Sequence, residues 1–289
     1  MEIYWCQNRY TSTEPCEHGG YGGPVPTVSL DDIDLYFEVR GAGPRLLVFN
    51  GSGATIAASD PLIGLLAAHF EVAVHDQRCL GRTGLSYSEL PPTMADYAAD
   101  GAALLDHLGW ASCRVFGISF GGMVAQEFAV TWPSRVEKLA LLCTSAGGRG
   151  GSSYPLHTLA GLDAAERERI SLHNLDTRFD AAWLVDHPFD QAIVTLMADR
   201  SRTPKTEPQQ HGERLQLEAR ALHDVWDRLY RITCPTLVAY GEFDGLAPPA
   251  NSEAIASRIR HSVLTGFQGG HAFVYQDRAA AKQVTAFLA

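Results

Sequence analysis

The chain has 289 residues, 46% of them hydrophobic, a formal net charge of -10 and a pI near 5.5. That much apolar material can bury a sizeable core without disulfide or metal staples. The acidic balance disfavours nucleic acid and anionic membranes as partners, because both would repel such a surface at long range, so a small-molecule substrate is expected.

Residues 1–26 are rich in Gly, Tyr and polar residues without a helical or strand period and read as an irregular arm. Met1-Glu2-Ile3-Tyr4-Trp5 is not a basic leader ahead of an apolar run, and no later stretch approaches a bilayer-spanning length, so a cytosolic protein is expected. Cys6, Cys16 and His18 lie in this arm, but their spacing fits none of the usual zinc patterns. Cys113, Cys143 and Cys234 sit in or beside apolar runs and read as small buried hydrophobes.

From Thr27 the pattern changes. Thr27 to Leu30 and Ile33 to Val39 alternate apolar and polar residues about an Asp31-Asp32 turn, as an edge hairpin does. Leu46-Leu47-Val48-Phe49 is a continuous apolar run, the mark of a strand covered on both faces. A helix near Asp60 to His69, a strand Val72 to His75, a helix Thr93 to Leu108 and a strand Cys113 to Phe116 follow. The alternation continues through a helix after Ser119, the strands Leu139 to Leu142, Thr236 to Tyr240 and Ser262 to Leu264, and a last helix from about Ala272 to Leu288. Such repeats predict an α/β class with a doubly wound, mainly parallel sheet whose sites lie at the carboxyl ends of the strands.

Residues 146–225 interrupt this rhythm with helical and loop-like sequence that lacks a convincing central strand. An insertion after a strand terminus would sit over the site face, so residues 27–145 and 226–289 read as the core and 146–225 as a helical cap. Trp183, together with Phe179, Phe189, Met197 and Trp226, is a candidate for lining a substrate pocket, with packing inside the cap as the competing role. Arg200, Arg202 and Lys205 form a small basic cluster that reads as a solvated loop, with contact to an anionic substrate as the competing role.

The strongest chemical signal is Gly117-Ile118-Ser119-Phe120-Gly121, which follows an apolar strand and opens a helix. A nucleophile on so sharp a strand-to-helix turn suffers close backbone contacts, so its flanking positions must lack side chains. Gly117 and Gly121 meet that need, and the helix N-terminus offers unpaired N–H groups to a developing oxyanion. A serine hydroxyl is a weak nucleophile without a base in reach. Of the eleven histidines, His271 follows a strand through a loop able to carry it over the turn, and His75, at another strand end, is its rival. Tyr240-Gly241-Glu242-Phe243-Asp244 places two carboxylates beyond a strand. Asp244 is preferred over Glu242 because the loop must leave the strand before its carboxylate can turn toward His271. For the oxyanion hole, Phe120 offers one N–H by position, and Ser52 in the loop Asn50-Gly51-Ser52-Gly53 could offer the other.

These positions, in the chain order Ser, Asp, His, resemble the α/β-hydrolase superfamily from Thr27 to Ala289. Asp76-Gln77-Arg78-Cys79-Leu80-Gly81-Arg82-Thr83 also resembles the family's Asp-x-Arg-Gly-x-Gly-x-Ser loop, with Cys79 for a glycine and Thr83 for a serine. Asn50 stands where many members carry histidine. Ser119 is unlike the aspartate of haloalkane dehalogenases and epoxide hydrolases. His271-Ala272-Phe273 lacks the tryptophan typical of carbon–carbon bond hydrolases. The resemblance therefore implies the serine esterase and lactonase branch, needing no cofactor and no metal. An acyltransferase or thioesterase of the same fold, or a non-catalytic ligand-binding member, are the other readings.

Overall fold

The computed structural model describes residues 26–30, 32–84 and 90–289, without the side chains of Ala160, Arg200 and Ser201. The N-terminal arm, including Cys6, Cys16 and His18, lies outside the described residues.

Eight strands form one sheet in the order β1-β2-β4-β3-β5-β6-β7-β8. They are β1 (Thr27–Ser29), β2 (Asp34–Arg40), β3 (Arg45–Phe49), β4 (Glu71–His75), β5 (Cys113–Ile118), β6 (Val136–Leu142), β7 (Thr236–Gly241) and β8 (Ser262–Phe267). β1 pairs antiparallel with β2, and β2 antiparallel with β4; every pairing from β4 through β8 is parallel. This is the doubly wound α/β architecture that the alternating pattern predicts.

The period of two along each strand divides the core into two layers. Leu47, Phe49, Val115, Leu139, Leu141 and Val238 face one side, where α2 (Met94–His107), α3 (Phe120–Thr131) and α8 (Pro249–Arg258) cover them. Leu46, Val48, Phe116, Ala140, Leu142 and Ala239 face the other, beneath α1 (Asp60–Ala67) and α10 (Arg278–Leu288). Because both faces are buried, the central strands β3 to β7 read as apolar runs, whereas the edge pair β1 and β2 alternates. Cys79, Cys113, Cys143 and Cys234 are free and buried, as small hydrophobes in this setting.

Two local readings need correction. The expected single helix from Ala272 to Leu288 is broken into α9 (Phe273–Gln276) and α10. Asp277 breaks it: its backbone is extended, and its carboxylate accepts from the Ala279 N–H at 2.8 Å and the Gln268 N–H at 2.9 Å. α8 has no counterpart in the sequence reading, although Pro249 at its first position is a helix-start signal.

Residues 146–225 carry α4 (Ala164–Leu175), α5 (Ala181–Asp186), α6 (Pro188–Arg202) and α7 (Glu207–Ala221), with 3₁₀ turns before them. The two ends of the segment are stitched together. Val225 N–H donates to Ala146 O at 2.9 Å, and Gly147 pairs with Asp224 as an isolated bridge. Gly147 has φ of 71°, and a Cβ there would stand 1.8 Å from His223 O, so only glycine fits. The segment also meets the loops beyond the strand ends: Thr177 N–H donates to Phe243 O at 2.9 Å, and Tyr154 N–H to Leu246 O at 2.7 Å. Among the described residues no helix is long and apolar enough to cross a membrane.

Candidate active site

Ser119 joins β5 to α3 with φ 55° and ψ -119°, a strained conformation for a residue bearing a side chain. The flanking glycines show how tightly the turn is packed. A Cβ on Gly117 would lie 2.4 Å from Gly121 O, and one on Gly121 would lie 2.0 Å from Phe49 O. Two bonds hold the strained residue in place: its N–H donates to Leu142 O at 2.9 Å, and its carbonyl accepts from Thr144 Oγ1 at 2.9 Å. The turn is thereby fixed to the ends of β3 and β6.

The His271 ring lies against the serine, with Nε2 2.9 Å from Ser119 Oγ. Its Nδ1 is 2.8 Å from Asp244 Oδ2, and its backbone N–H donates to Leu175 O of α4 at 2.6 Å. Asp244 is buried, and its other oxygen accepts from the backbone N–H groups of Leu246 and Ala247 at 2.9 and 2.8 Å. With Oδ1 occupied in this way, Oδ2 is aimed at the imidazole. Glu242 is exposed, and the structure brings Asp244, not Glu242, to His271. His75 is fully enclosed, edge-on to Phe49 with ring centroids 5.8 Å apart, and burial, with Arg78 adding to it, lowers its pKa to about 4. A ring so enclosed has no path to the serine.

Cys143 lies beside this line. Its sulfur, a carboxylate oxygen of Asp244 and a ring nitrogen of His271 all fall within 4.8 Å of one another. Burial, with the Asp244 charge adding to it, raises the Cys143 thiol well above its ordinary pKa. His271 Nδ1 is already hydrogen-bonded to the acid, so the group is arranged to move a proton.

The first residue of α3, Phe120, presents one of the helix-start N–H groups that have no intrahelical acceptor. The loop after β3 lies alongside: Gly51 is close enough that a Cβ on it would be 3.7 Å from Ser119 Cβ, and Ser52 beyond it is exposed. A buried chain of amides that the sequence did not reveal fixes this loop. Gln77 Nε2 donates to Asn50 O at 2.7 Å, Gln216 Nε2 on α7 donates to Gln77 Oε1, and Gln216 Oε1 accepts from the Gly53 N–H at 2.8 Å. The loop is thus clamped from both ends by side chains of the β4 loop and the insertion. In Gln216→Leu, the Gly53 N–H and Gln77 Oε1 lose their partners. We expect kcat to fall by roughly ten- to a hundred-fold, as misplacement of a reacting geometry by about 1 Å does, with KM moving less. Steady-state kinetics on a neutral ester checks this, and a change in stability with unchanged kcat would refute it.

The Asp76-to-Thr83 loop is held by buried polar bonds. Asp76 accepts from the N–H groups of Ile56 at 2.6 Å and Arg82 at 2.9 Å, while Thr83 Oγ1 donates to Asp76 O and accepts from Tyr36 N–H. Thr83 thus performs a serine-like hydroxyl role. Cys79 has φ of 61°, in the region glycine adopts freely, so it carries strain where the family motif has glycine. The insertion approaches closely here, since a Cβ on Gly212 of α7 would stand 2.4 Å from Cys79 O. Both amide atoms of buried Asn50 lack a partner among the described residues.

Trp183 packs in a satellite cluster with Leu175, Phe179 and Leu184, which Ala272, beside His271, also joins. Its indole N–H donates to Asp190 at 2.9 Å, and its ring stacks on His187 with centroids 3.8 Å apart. Phe189 and Met197 are exposed, and Trp226 packs against the core and Gly150. Lys205 pairs with Glu213 at 2.7 Å, and Arg202 is 3.7 Å from Asp199; both pairs are largely solvated.

Comparison with known proteins agrees with this architecture. The family model described as alpha/beta hydrolase fold matches residues 44–277. A poly(3-hydroxyalkanoate) depolymerase of Ectopseudomonas oleovorans is 29% identical over 266 residues, covering 91% of each chain. The protein named "Putative carbamate hydrolase RutD" of Variovorax paradoxus (strain S110) is 30% identical over 258 residues, covering 86% of this chain and 92% of its own. Among solved structures, a hydrolase from Pseudomonas aeruginosa PA01 superposes with a TM-score of 0.73 at 27% identity, covering 92% of this chain and 99% of that one. With the family model spanning most of the chain and relatives aligned along nearly their whole length, the chain belongs to the α/β hydrolase family and is a hydrolase.

Proposed function

We propose that this hydrolase cleaves carboxylic esters or lactones of small molecules through an acyl-enzyme on Ser119. The observation that carries the reading is the hydrogen-bonded line from Asp244 through His271 to Ser119, with contacts of 2.8 and 2.9 Å, ending on a strained serine at a helix N-terminus. His271 takes the hydroxyl proton as Ser119 Oγ attacks the carbonyl carbon, and Asp244 stabilises the imidazolium that forms. The N–H groups of Phe120 and Ser52 receive the oxyanion. His271 then gives the proton to the leaving oxygen, and the bond to the alcohol breaks. In the second half, His271 activates water against the acyl-enzyme and releases the acid. Residues 146–225 act as the cap over this site. The named depolymerase relative supports an ester bond, since a poly(3-hydroxyalkanoate) is a polyester.

A fluorophosphonate probe reports the activated serine directly. Intact protein incubated with the probe should gain one phosphonyl group, and peptide mapping should place it on Ser119. An unlabelled Ser119 in folded protein would overturn the reading.

A further inference from the structure

The insertion contains a half-buried cation that no carboxylate of the described residues pairs with. Arg220, in the last turn of α7, donates from Nε to Ser153 Oγ at 3.2 Å and from Nη2 to Tyr154 O at 3.0 Å. Among the described residues no carboxylate forms an ion pair with it, whereas Arg78 and Arg228 each hold one bidentately. Burial lowers the Arg220 pKa to about 10, opposed only by the charge of Asp244. A guanidinium partly withdrawn from water without a counter-charge is costly, and its planar fork of donors matches a carboxylate.

Arg220 lines a cavity of about 200 Å³, together with Met123, Ser145, Ser153, Tyr154 and His223. His223 supplies a second and independent sign. It is 7% exposed, and among the described residues neither ring nitrogen has a partner at hydrogen-bonding geometry, the Ser145 backbone being its nearest polar neighbour. Burial lowers its pKa to about 4, so it faces the cavity as a neutral ring with an N–H to donate. The hydroxyls of Ser145 and Ser153 stand 3.3 Å apart in the same wall.

The cavity is next to the chemistry. Met123 lies in the first turns of α3, which Ser119 opens, and Ser145 follows Thr144, whose hydroxyl holds the Ser119 carbonyl. Neither Ser119 nor His271 lines the cavity itself; its wall begins at Met123 and Ser145, on the elements that carry Ser119. The leaving oxygen must face His271 to be protonated, so a substrate chain running past Ser119 into this wall is the acyl part.

We propose that this cavity is a subsite for a carboxylate carried on the acyl chain, held by the Arg220 guanidinium with the His223 N–H and the Ser145 and Ser153 hydroxyls, so that the substrates are esters or lactones of dicarboxylic acids. The proposal rests on the ester-hydrolase reading above. The small volume suits a short chain, and the charge opposite the reacting carbonyl selects against simple fatty acyl esters.

The test compares mono-p-nitrophenyl esters of glutaric and adipic acid with p-nitrophenyl pentanoate and hexanoate, each corrected for spontaneous hydrolysis. Binding of glutarate itself is measured by calorimetry. Wild type should favour the charged ester in kcat/KM, and Arg220→Gln should lower the charged-to-neutral ratio by roughly ten-fold or more, as loss of hydrogen bonds to a charged group does. Arg220→Lys should restore part of the ratio, and melting curves establish that both variants are folded. Glutarate binding should weaken in Arg220→Gln to the same degree as the ratio. A charged-to-neutral ratio unaltered by Arg220→Gln, with neutral esters still cleaved, would remove the subsite and leave the ester reading. Glutarate binding that depends on Arg220, with no ester cleaved and no label on Ser119, would leave the subsite and remove the ester reading.

Discussion

Ser119→Ala is expected to lower kcat on any ester the wild type cleaves by roughly a million-fold, the scale of loss when a serine nucleophile is removed from such a triad. The Oγ that His271 Nε2 approaches at 2.9 Å is the atom that attacks, and no other hydroxyl is hydrogen-bonded to that nitrogen among the described residues. The same substitution should leave stability within about 1 kcal/mol of wild type, because it removes one oxygen at a turn and opens no cavity in the core. Alanine inherits the positive φ of 55°, so the strain of the turn is neither relieved nor increased. A residual rate of roughly a thousand-fold above water comes from oxyanion donors and binding alone. Stopped and continuous assays on the same ester, with urea melts beside them, separate the two effects. Folded Ser119→Ala retaining near wild-type turnover would exclude the serine mechanism.

What the sequence made legible follows from how local each constraint is. Gly117 and Gly121 announce the elbow because a side chain there would strike backbone two to three ångströms away, and that conflict is settled within a few residues of Ser119. The strands were visible because burial on both faces leaves no polar position in runs such as Leu46 to Phe49. Asp244 and His271 could be placed at strand ends by chain order, although only the fold shows which of the two loop carboxylates turns inward. The break at Asp277 is not evident in the sequence because the three polar residues Gln276-Asp277-Arg278 contain neither Gly nor Pro and small apolar residues resume directly after them, and its cause is a side chain reaching back to Gln268. The amide chain of Gln77, Gln216 and Gly53 joins residues 139 and 163 apart. No periodicity encodes such a contact. Trp183 shows another limit: nothing in the sequence marks that its ring stacks on His187 and its indole N–H binds Asp190. Arg220 is equally silent in the sequence, since an arginine near a helix end is usually solvated, and only its place in a cavity wall, with no carboxylate of the described residues paired to it, marks it out.

Asp244→Asn is expected to lower kcat by roughly ten-thousand-fold, whereas Glu242→Gln should change it by less than about ten-fold. The difference lies in what each carboxylate touches. Asp244 Oδ2 meets His271 Nδ1 at 2.8 Å, and its Oδ1 is fixed by the Leu246 and Ala247 N–H groups. In the asparagine variant those two donors hold the amide oxygen in the Oδ1 place and leave the NH₂ facing Nδ1. An amide donor there forces Nδ1 to accept, so the ring proton moves to Nε2. Nε2 then points a hydrogen at Ser119 Oγ and can no longer take its proton. The amide also carries no charge to stabilise an imidazolium, so both the tautomer and the transition state suffer. Because the backbone donors remain satisfied, the loop should keep its shape, and the loss should fall on kcat with little change in KM. Glu242 is exposed on the far side of the strand end, where its backbone N–H pairs with Phe267 O and its charge is solvated. Steady-state kinetics on both variants, with the rate of Ser119 phosphonylation as a second measure of nucleophile activation, tests the assignment. A larger loss of kcat in Glu242→Gln than in Asp244→Asn would place the orienting acid at the wrong residue.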